Sequence, residues 1–334
     1  MVSFCLKICN HSTLVVYSPK LTMDSFIESL PKTETHLHIE GAIPWEMFEA
    51  RFPDEFSRVP DFRRPEFRYE NFAQFESILI DHALRIINEP ADYAEIAQGV
   101  FAEHLKQNVR YVELSFHAGM IEFLNMPGQE IISAIRSAVP PGLEVRIFIG
   151  MSRNSYSDYL GDSLEDAVEN WDGLHGIDLH GPENLPSQEW IPKLWEKARV
   201  NGRALKAHAG EFGPAENVKW AVEKLGVKRI QHGIHGSLDD ELLKMLAHRG
   251  VVLDICPISN YKLRVFDKWE DYPLHKFIKH GIPLTISTDD PMSFGNCLND
   301  EYRVLQQKMG FSAPELAQFA KNGFEVADLS DSSR

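Results

Sequence analysis

Eight short segments of β character, most of them apolar and several ending in polar residues, recur along this 334-residue chain. They cover 34–39, 110–116, 144–151, 176–181, 204–210, 229–234, 251–257 and 283–288. Stretches with helical periodicity lie between most of them, such as 216–225 after the fifth and 239–248 after the sixth. Ser237 followed by Asp239-Asp240-Glu241 reads as a helix start, with Gly250 just past the end. Such alternation calls for a parallel sheet covered by helices, because each parallel crossover consumes a helix's worth of chain. Eight units is the number that closes a (β/α)8 TIM barrel of the α/β class. A doubly wound sheet is the runner-up, but it usually carries an early Gly-rich phosphate turn, and none is present.

One barrel of ~250 residues plus decorations absorbs the length, so residues 23–334 are expected to form a single domain. Residues 1–22 read as an N-terminal extension, and Met23 offers an alternative start. The largest connection, 41–107, contains Pro53, Pro60 and Pro65 and then two helical stretches, 71–87 and 92–107. Long loops at the C-terminal ends of barrel strands carry function, so this insertion is expected to form a substrate lid. The polar tail from Asp328 is expected to fray.

Charge narrows the partners. Lys and Arg number 34 against 49 Asp and Glu, a net of −15, and a surface that negative repels nucleic acid and anionic membranes. No apolar run approaches the ~18–20 residues a membrane span requires. Four scattered cysteines (Cys5, Cys9, Cys256 and Cys297) make no disulfide framework, and the N-terminus lacks the apolar core of an export signal. The expected setting is cytoplasmic and the expected partner a small molecule, with a homo-oligomer compatible with the sequence.

The polar anomalies gather at the ends of the proposed strands. The first gives Thr35-His36-Leu37-His38-Ile39-Glu40-Gly41, where period 2 puts His36 and His38 on one side. The fifth ends His208-Ala209-Gly210-Glu211, the sixth contains Gln231-His232-Gly233, and the eighth ends Ser287-Thr288-Asp289-Asp290-Pro291. Three or four imidazoles and a carboxylate would then converge on one rim. Taken singly each has a bland reading, a satisfied histidine, a helix cap or a turn; His82, His104, His117, His175, His235, His275 and His280 keep that structural reading. Converging nitrogen and carboxylate ligands suit zinc better than magnesium or calcium. Glu211 is placed to shuttle protons and His232 to orient or deprotonate a water. The chemistry read from these residues is metal-assisted hydrolysis of an electrophilic carbon.

At these residues the sequence resembles the adenosine deaminase family of zinc aminohydrolases. The resemblance is carried by Pro31 to Ala42, Gly176 to Gly181, His208-Ala209-Gly210-Glu211, Ile230-Gln231-His232-Gly233, Cys256-Pro257-Ile258-Ser259-Asn260 and Ser287-Thr288-Asp289-Asp290-Pro291, in the family order. It implies one zinc per chain held by His36, His38, His208 and Asp289. It implies that Glu211 protonates ring N1 of a 6-aminopurine, and that His232, with Asp289, takes the proton of the water that attacks C6. Asp290 would meet N7 and the Gly181 N–H would meet N3. Lys206, two residues before His208, is expected to pair with a barrel carboxylate.

Three departures bear on the substrate. Glu40 stands where adenosine deaminases usually carry Asp, at a residue expected to touch the ribose 5′-hydroxyl. Gly181-Pro182-Glu183 replaces the more usual Gly-Asp-Glu. The stretch from Cys256 to Leu263 resembles the adenine and aminodeoxyfutalosine deaminase branches as much as the adenosine branch. Phe72 and Phe75 are candidates to cover the sugar side of the pocket, or else to pack as an ordinary lid helix. The expected activity is hydrolytic deamination of an adenosine-type nucleoside, with adenine or aminodeoxyfutalosine as alternatives. A cytidine-type deaminase needs a P-C-x-x-C pair, which Cys256-Pro257 does not supply. A barrel phosphoesterase or amide hydrolase and a catalytically silent purine-binding member complete the alternatives.

Overall fold

All eight strands pair in chain order, each parallel to the next, in the computed structural model, which describes residues 22–154 and 156–330. They are β1 Lys32–His38, β2 Val109–His117, β3 Glu144–Ser152, β4 Leu174–His180, β5 Ala204–Ala209, β6 Arg229–His232, β7 Val252–Ile255 and β8 Leu284–Ile286. The seam between β1 and β8 closes through the chain just past β8. Leu37 bridges Asp289 in parallel, His38 N donates to Asp289 O at 3.1 Å, and Asp289 N donates to His36 O at 3.1 Å. The (β/α)8 barrel expected from the sequence is the fold observed, and the extension 1–22 lies outside the described residues but for Thr22.

Fifteen α-helices are described. Ahead of and within the long connection stand α1 Met23–Ser29, α2 Trp45–Arg51, α3 Phe72–Ile86 and α4 Pro90–Lys106. Between β2 and β5 come α5 Gly119–Phe123, α6 Gly128–Ser137, α7 Asp158–Asn170 and α8 Trp190–Val200. The second half adds α9 Ala215–Trp220, α10 Asp240–Arg249, α11 Pro257–Lys262, α12 Leu274–Lys279, α13 Pro291–Phe294, α14 Leu298–Met309 and α15 Ala313–Val326.

Local chemistry sets the boundaries. Asn71 caps α3 by accepting from Gln74 N at 3.0 Å. Helix α4 begins at Pro90, ahead of the expected 92, because proline needs no N–H in a first turn and Glu89 with Asp92 forms a capping box. Asp239, not Ser237, caps α10. Strand β7 stops short of 257 because Pro257 opens α11. The insertion also divides in two. Helix α4 packs on α6 and β2 as an ordinary barrel helix, whereas α3 leans over the strand ends. The tail does not fray over 328–330: Asp328 N donates to Tyr111 Oη at 3.1 Å and Ser330 N to Glu144 Oε2 at 2.9 Å. No helix among the described residues is long and apolar enough to cross a membrane.

Alternation along the strands turns polar residues inward: Glu113 and Ser115, Asp178 and His180, Lys206 and His208, Thr285 and Ser287. In β1 a register shift between Glu34 and Leu37 brings Thr35 inward as well as His36. The lower interior is an ion network. Lys206 pairs with Glu113, as expected, and also donates to Thr35 O at 2.6 Å. Arg229 Nη2 reaches Asp254 Oδ1 at 2.7 Å and Glu113 Oε2 at 3.3 Å. Burial pushes the Glu113 carboxyl up, but Arg229 and Lys206 outweigh it and hold it at about 2. Such a network is costly to break on one side, because the partner charges stay buried.

Glu113→Gln should therefore destabilise the protein by about 3–5 kcal/mol at neutral pH, read by chemical denaturation. A depressed carboxyl stabilises above its ordinary pKa of 4.5 and loses that contribution as pH falls towards about 2. The gap between wild type and variant should close across that window; a pH-independent gap would mean that Glu113 acts through packing alone.

Candidate active site

Four side chains from the two edges of the seam and from β5 meet above this network. His36 Nε2 lies 3.1 Å from His208 Nε2, and His38 Nε2 lies 3.2 Å from it. Asp289 Oδ1 is 3.3 Å from His36 Nε2 and 3.4 Å from His38 Nε2. Each imidazole is fixed from behind at Nδ1: His36 by Cys256 Sγ at 3.3 Å, His38 by Ser115 Oγ at 2.9 Å, His208 by Asp178 Oδ1 at 3.3 Å. With its side-chain amide turned so that nitrogen faces β4, Gln231 donates a hydrogen bond to Asp178 Oδ2 at 2.8 Å.

These four residues could hold a metal ion. Tetrahedral ligands at ~2.0–2.1 Å from one ion sit ~3.3 Å apart, which is the spacing found. With Nδ1 engaged behind, the Nε2 lone pairs face one another and a carboxylate, an arrangement that repels itself unless a cation stands between. Burial holds His38 down to about 3, which keeps its imidazole neutral.

Two carboxylates flank this cluster in the opposite protonation state. Glu211, after β5, is buried, and burial followed by the charges of Asp289 and Glu183 raises its carboxyl well above the usual range. Its Oε2 lies 3.5 Å from His232 Nε2. Asp290 is raised likewise by burial and by Asp289, and its Oδ1 is buried with no hydrogen-bond partner. That oxygen packs against Gly41 with no hydrogen-bond partner, a buried polar atom left open to a ligand. Asp289, by contrast, is held well below the ordinary range because the surrounding imidazoles outweigh burial.

His232 accepts from Asn260 Nδ2 at 3.0 Å through Nδ1, which leaves the ring proton of the neutral imidazole on Nε2. Tyr272 Oη in turn donates to Asn260 Oδ1 at 2.8 Å. The backbone around Glu211 is held by Glu183, whose carboxylate accepts from the N–H groups of Gly210, Glu211 and Phe212 at 2.6, 2.8 and 3.0 Å. Burial alone would raise Glu183, but Arg153 and these donors hold it low. Arg153 donates to Gly181 O at 3.1 Å and His208 O at 2.6 Å, tying β4 to β5.

A cavity of about 630 Å³ opens onto this centre. His38, His208, Glu211, His232, Asp289 and Asp290 line it, as do Glu40, Gly181, Phe72 and Phe75; of the proposed metal and catalytic residues, His36 alone is not among its lining. Phe72 and Phe75 touch each other (5.7 Å between rings), and Phe72 touches Phe212 (5.3 Å). Glu40 Oε1 accepts from Tyr93 Oη at 2.7 Å and His117 N at 3.0 Å. His117 lines the cavity too, beside Glu40, which its N–H contacts. Its place is regular, since His117 ends β2 as His38 ends β1. Arg153 had no such signal, because its role is a contact with backbone carbonyls at the ends of β4 and β5.

Gly41 has no room for a Cβ, which would fall 1.7 Å from Asp290 Oδ1. Gly41→Ala should displace that carboxyl and cost about 1–3 kcal/mol by overpacking, read as a shifted denaturation midpoint. An unchanged midpoint would show that the turn after β1 yields instead.

Comparison with known proteins gives consistent results. A family model described as adenosine deaminase matches residues 31–334. An adenine deaminase from Chlorobium phaeobacteroides is 28% identical over 326 residues, covering 93% of this chain and 96% of that relative. Among solved structures, an adenine deaminase from Arthrobacter aurescens superposes with a TM-score of 0.81 at 25% identity, covering 91% of this chain and 96% of that one. A cog1816 amidohydrolase from Burkholderia ambifaria, described with bound Zn, gives 0.77 at 25% identity, covering 95% and 91%.

Proposed function

The chain belongs to the adenosine deaminase family, and from that premise we propose that it hydrolyses the C6–amino bond of a 6-aminopurine nucleoside, releasing ammonia. The observation that carries this reading is a cluster of four side chains able to hold a metal, beside the buried carboxyl of Glu211, which burial raises well above the usual range. One zinc per chain, held by His36, His38, His208 and Asp289, would supply a Lewis acid that brings the pKa of water to about 7.

The chain's own groups do the rest. Glu211 gives its proton to ring N1, which draws electron density from C6 and opens it to attack. Asp290, protonated by its surroundings, donates to N7, and the Gly181 N–H meets N3. His232 holds the attacking water with its Nε2 proton, because Asn260 occupies Nδ1. Asp289 Oδ2, 3.9 Å from His232 Nε2, then takes the water's proton and hands it to the amino group, which leaves as ammonia while Glu211 recovers a proton from the hydroxyl left on C6. This gives His232 an orienting role and leaves the base role to Asp289. Glu40, buried against Tyr93, faces the substituent on N9.

A second reading, a free-adenine deaminase, is favoured by the relatives of that name. It is separated by comparing kcat/KM on adenine and adenosine. The two described cysteines, Cys256 and Cys297, are both free, which suits the cytoplasmic setting.

Glu211→Gln should lower kcat/KM by ~10²–10⁴-fold with metal content unchanged; retention of most activity would remove Glu211 from the chemistry. His208→Ala should instead empty the site, read by elemental analysis as a fall from about one zinc per chain to a small fraction. Zinc that stays at one equivalent in that variant would relocate the ion.

A further inference from the structure

The outer part of the cavity is not used by the deamination chemistry. Helix α3 presents Leu79, Ile80 and Ala83 along one wall, while Met120 and Phe123 of α5 and Tyr156 ahead of α7 also line it. Burial grades steeply from floor to mouth. Glu211, Asp289 and Asp290 are all under 9% exposed, whereas Phe123 is 72%, Ile80 49% and Tyr156 40% exposed. Large apolar side chains in the open are few among the described residues, and three of them line this one cavity. The volume of about 630 Å³ falls within the ~300–1,000 Å³ of sites that enclose drug-sized molecules. A bare purine would leave most of it as water against apolar walls.

Charge is equally one-sided. Glu40, Glu76 and Glu122 line the cavity, and among the described lining residues none is Lys or Arg. Arg153 is committed to Gly181 O and His208 O. His117 accepts from Gly119 N at 2.9 Å through Nδ1, which holds its ring in the neutral tautomer.

We infer that this outer part is a subsite for a neutral, apolar group at the 5′ position of the nucleoside, and that it turns away 5′-phosphates and other anionic extensions. The inference rests on the purine reading above. An apolar 5′ group covers Leu79, Ile80 and Phe123 and gains their desolvation. A phosphate there would meet Glu76 and Glu122 with no cation to receive it, and like charge at close quarters suppresses binding strongly.

The test pairs rates with direct binding. Ammonia release is measured on adenine, adenosine, a 5′-deoxy-5′-alkylthioadenosine and AMP, and calorimetry measures binding of hypoxanthine, inosine, the 5′-alkylthioinosine and IMP. In kcat/KM the alkylthio nucleoside should exceed adenosine about tenfold, since a few buried carbons are worth that much. AMP should fall below adenosine by ~100-fold or more. Glu76→Lys combined with Glu122→Lys should raise AMP relative to adenosine at least ~tenfold, while Phe123→Ala should erase the alkylthio preference. AMP within tenfold of adenosine, or adenine ahead of every 9-substituted purine, overturns the subsite even where deamination proceeds. Binding in the expected order with no ammonia from any substrate would uphold the subsite and overturn the deaminase chemistry instead.

Discussion

The parallel contact between β1 and the chain after β8 is the interaction on which everything else depends. Two backbone hydrogen bonds, which together make the Leu37–Asp289 bridge, close the barrel and set Asp289 beside His36 and His38. Residues separated by about 250 positions in sequence thereby share a centre with spacings of 3.3–3.4 Å. A sheet left open at this seam would keep the H-x-H pair on one edge and the aspartate on the other. Barrel closure and ligand assembly are the same event. A bound cation would favour it further by offsetting the repulsion of the gathered lone pairs.

Around that centre, one elementary property is tuned in opposite directions over a few ångströms. Asp289 is held ionised by imidazoles, whereas Glu211 and Asp290 are held protonated by burial and by the charge of Asp289 itself. The ionised carboxylate suits a cation and a departing water proton. The two protonated ones suit the basic nitrogens of a purine ring. Carboxyls are thus suited to unlike tasks because their surroundings separate their pKa values. Glu183 preserves the arrangement without touching it, since its charge is spent on three backbone N–H groups at the strand end that carries Glu211.

Much of this was legible in the sequence because strand ends in a barrel are a fixed address. The period of 2 located His36 with His38 and Lys206 with His208, and alternation with helices announced the parallel sheet. The same rule applied to β2 points to Ser115 and His117, a strand end that carries no H-x-H pair to mark it. Other features leave no periodic trace. The Thr35 register shift depends on partners in β7 and β8. The Asn260 amide on His232, which fixes where the ring proton sits, depends on the orientation of Tyr272. Contacts of that kind are decided by packing between distant segments, and a single sequence carries little signal for them.

Backbone strain shows how firmly the centre is held. Five described non-glycine residues adopt positive φ, and two of them are His232 at 65° and Asp289 at 67°. Left-handed backbone at such positions costs of order 1–3 kcal/mol and persists only where the surroundings dictate it. Histidine and aspartate tolerate it better than branched or bulky residues do. His232 ends β6 and Asp289 lies past the end of β8 where it bridges Leu37, and at both positions the left-handed backbone goes with a side chain that lines the cavity. Gly233, at φ 75°, completes the first of these turns, and its N–H donates back to Ala209 O at 3.1 Å on β5. A residue that fitted the local backbone better would relax the strand end and swing the functional group off the shared centre. The strain is therefore part of how this barrel aims its chemistry.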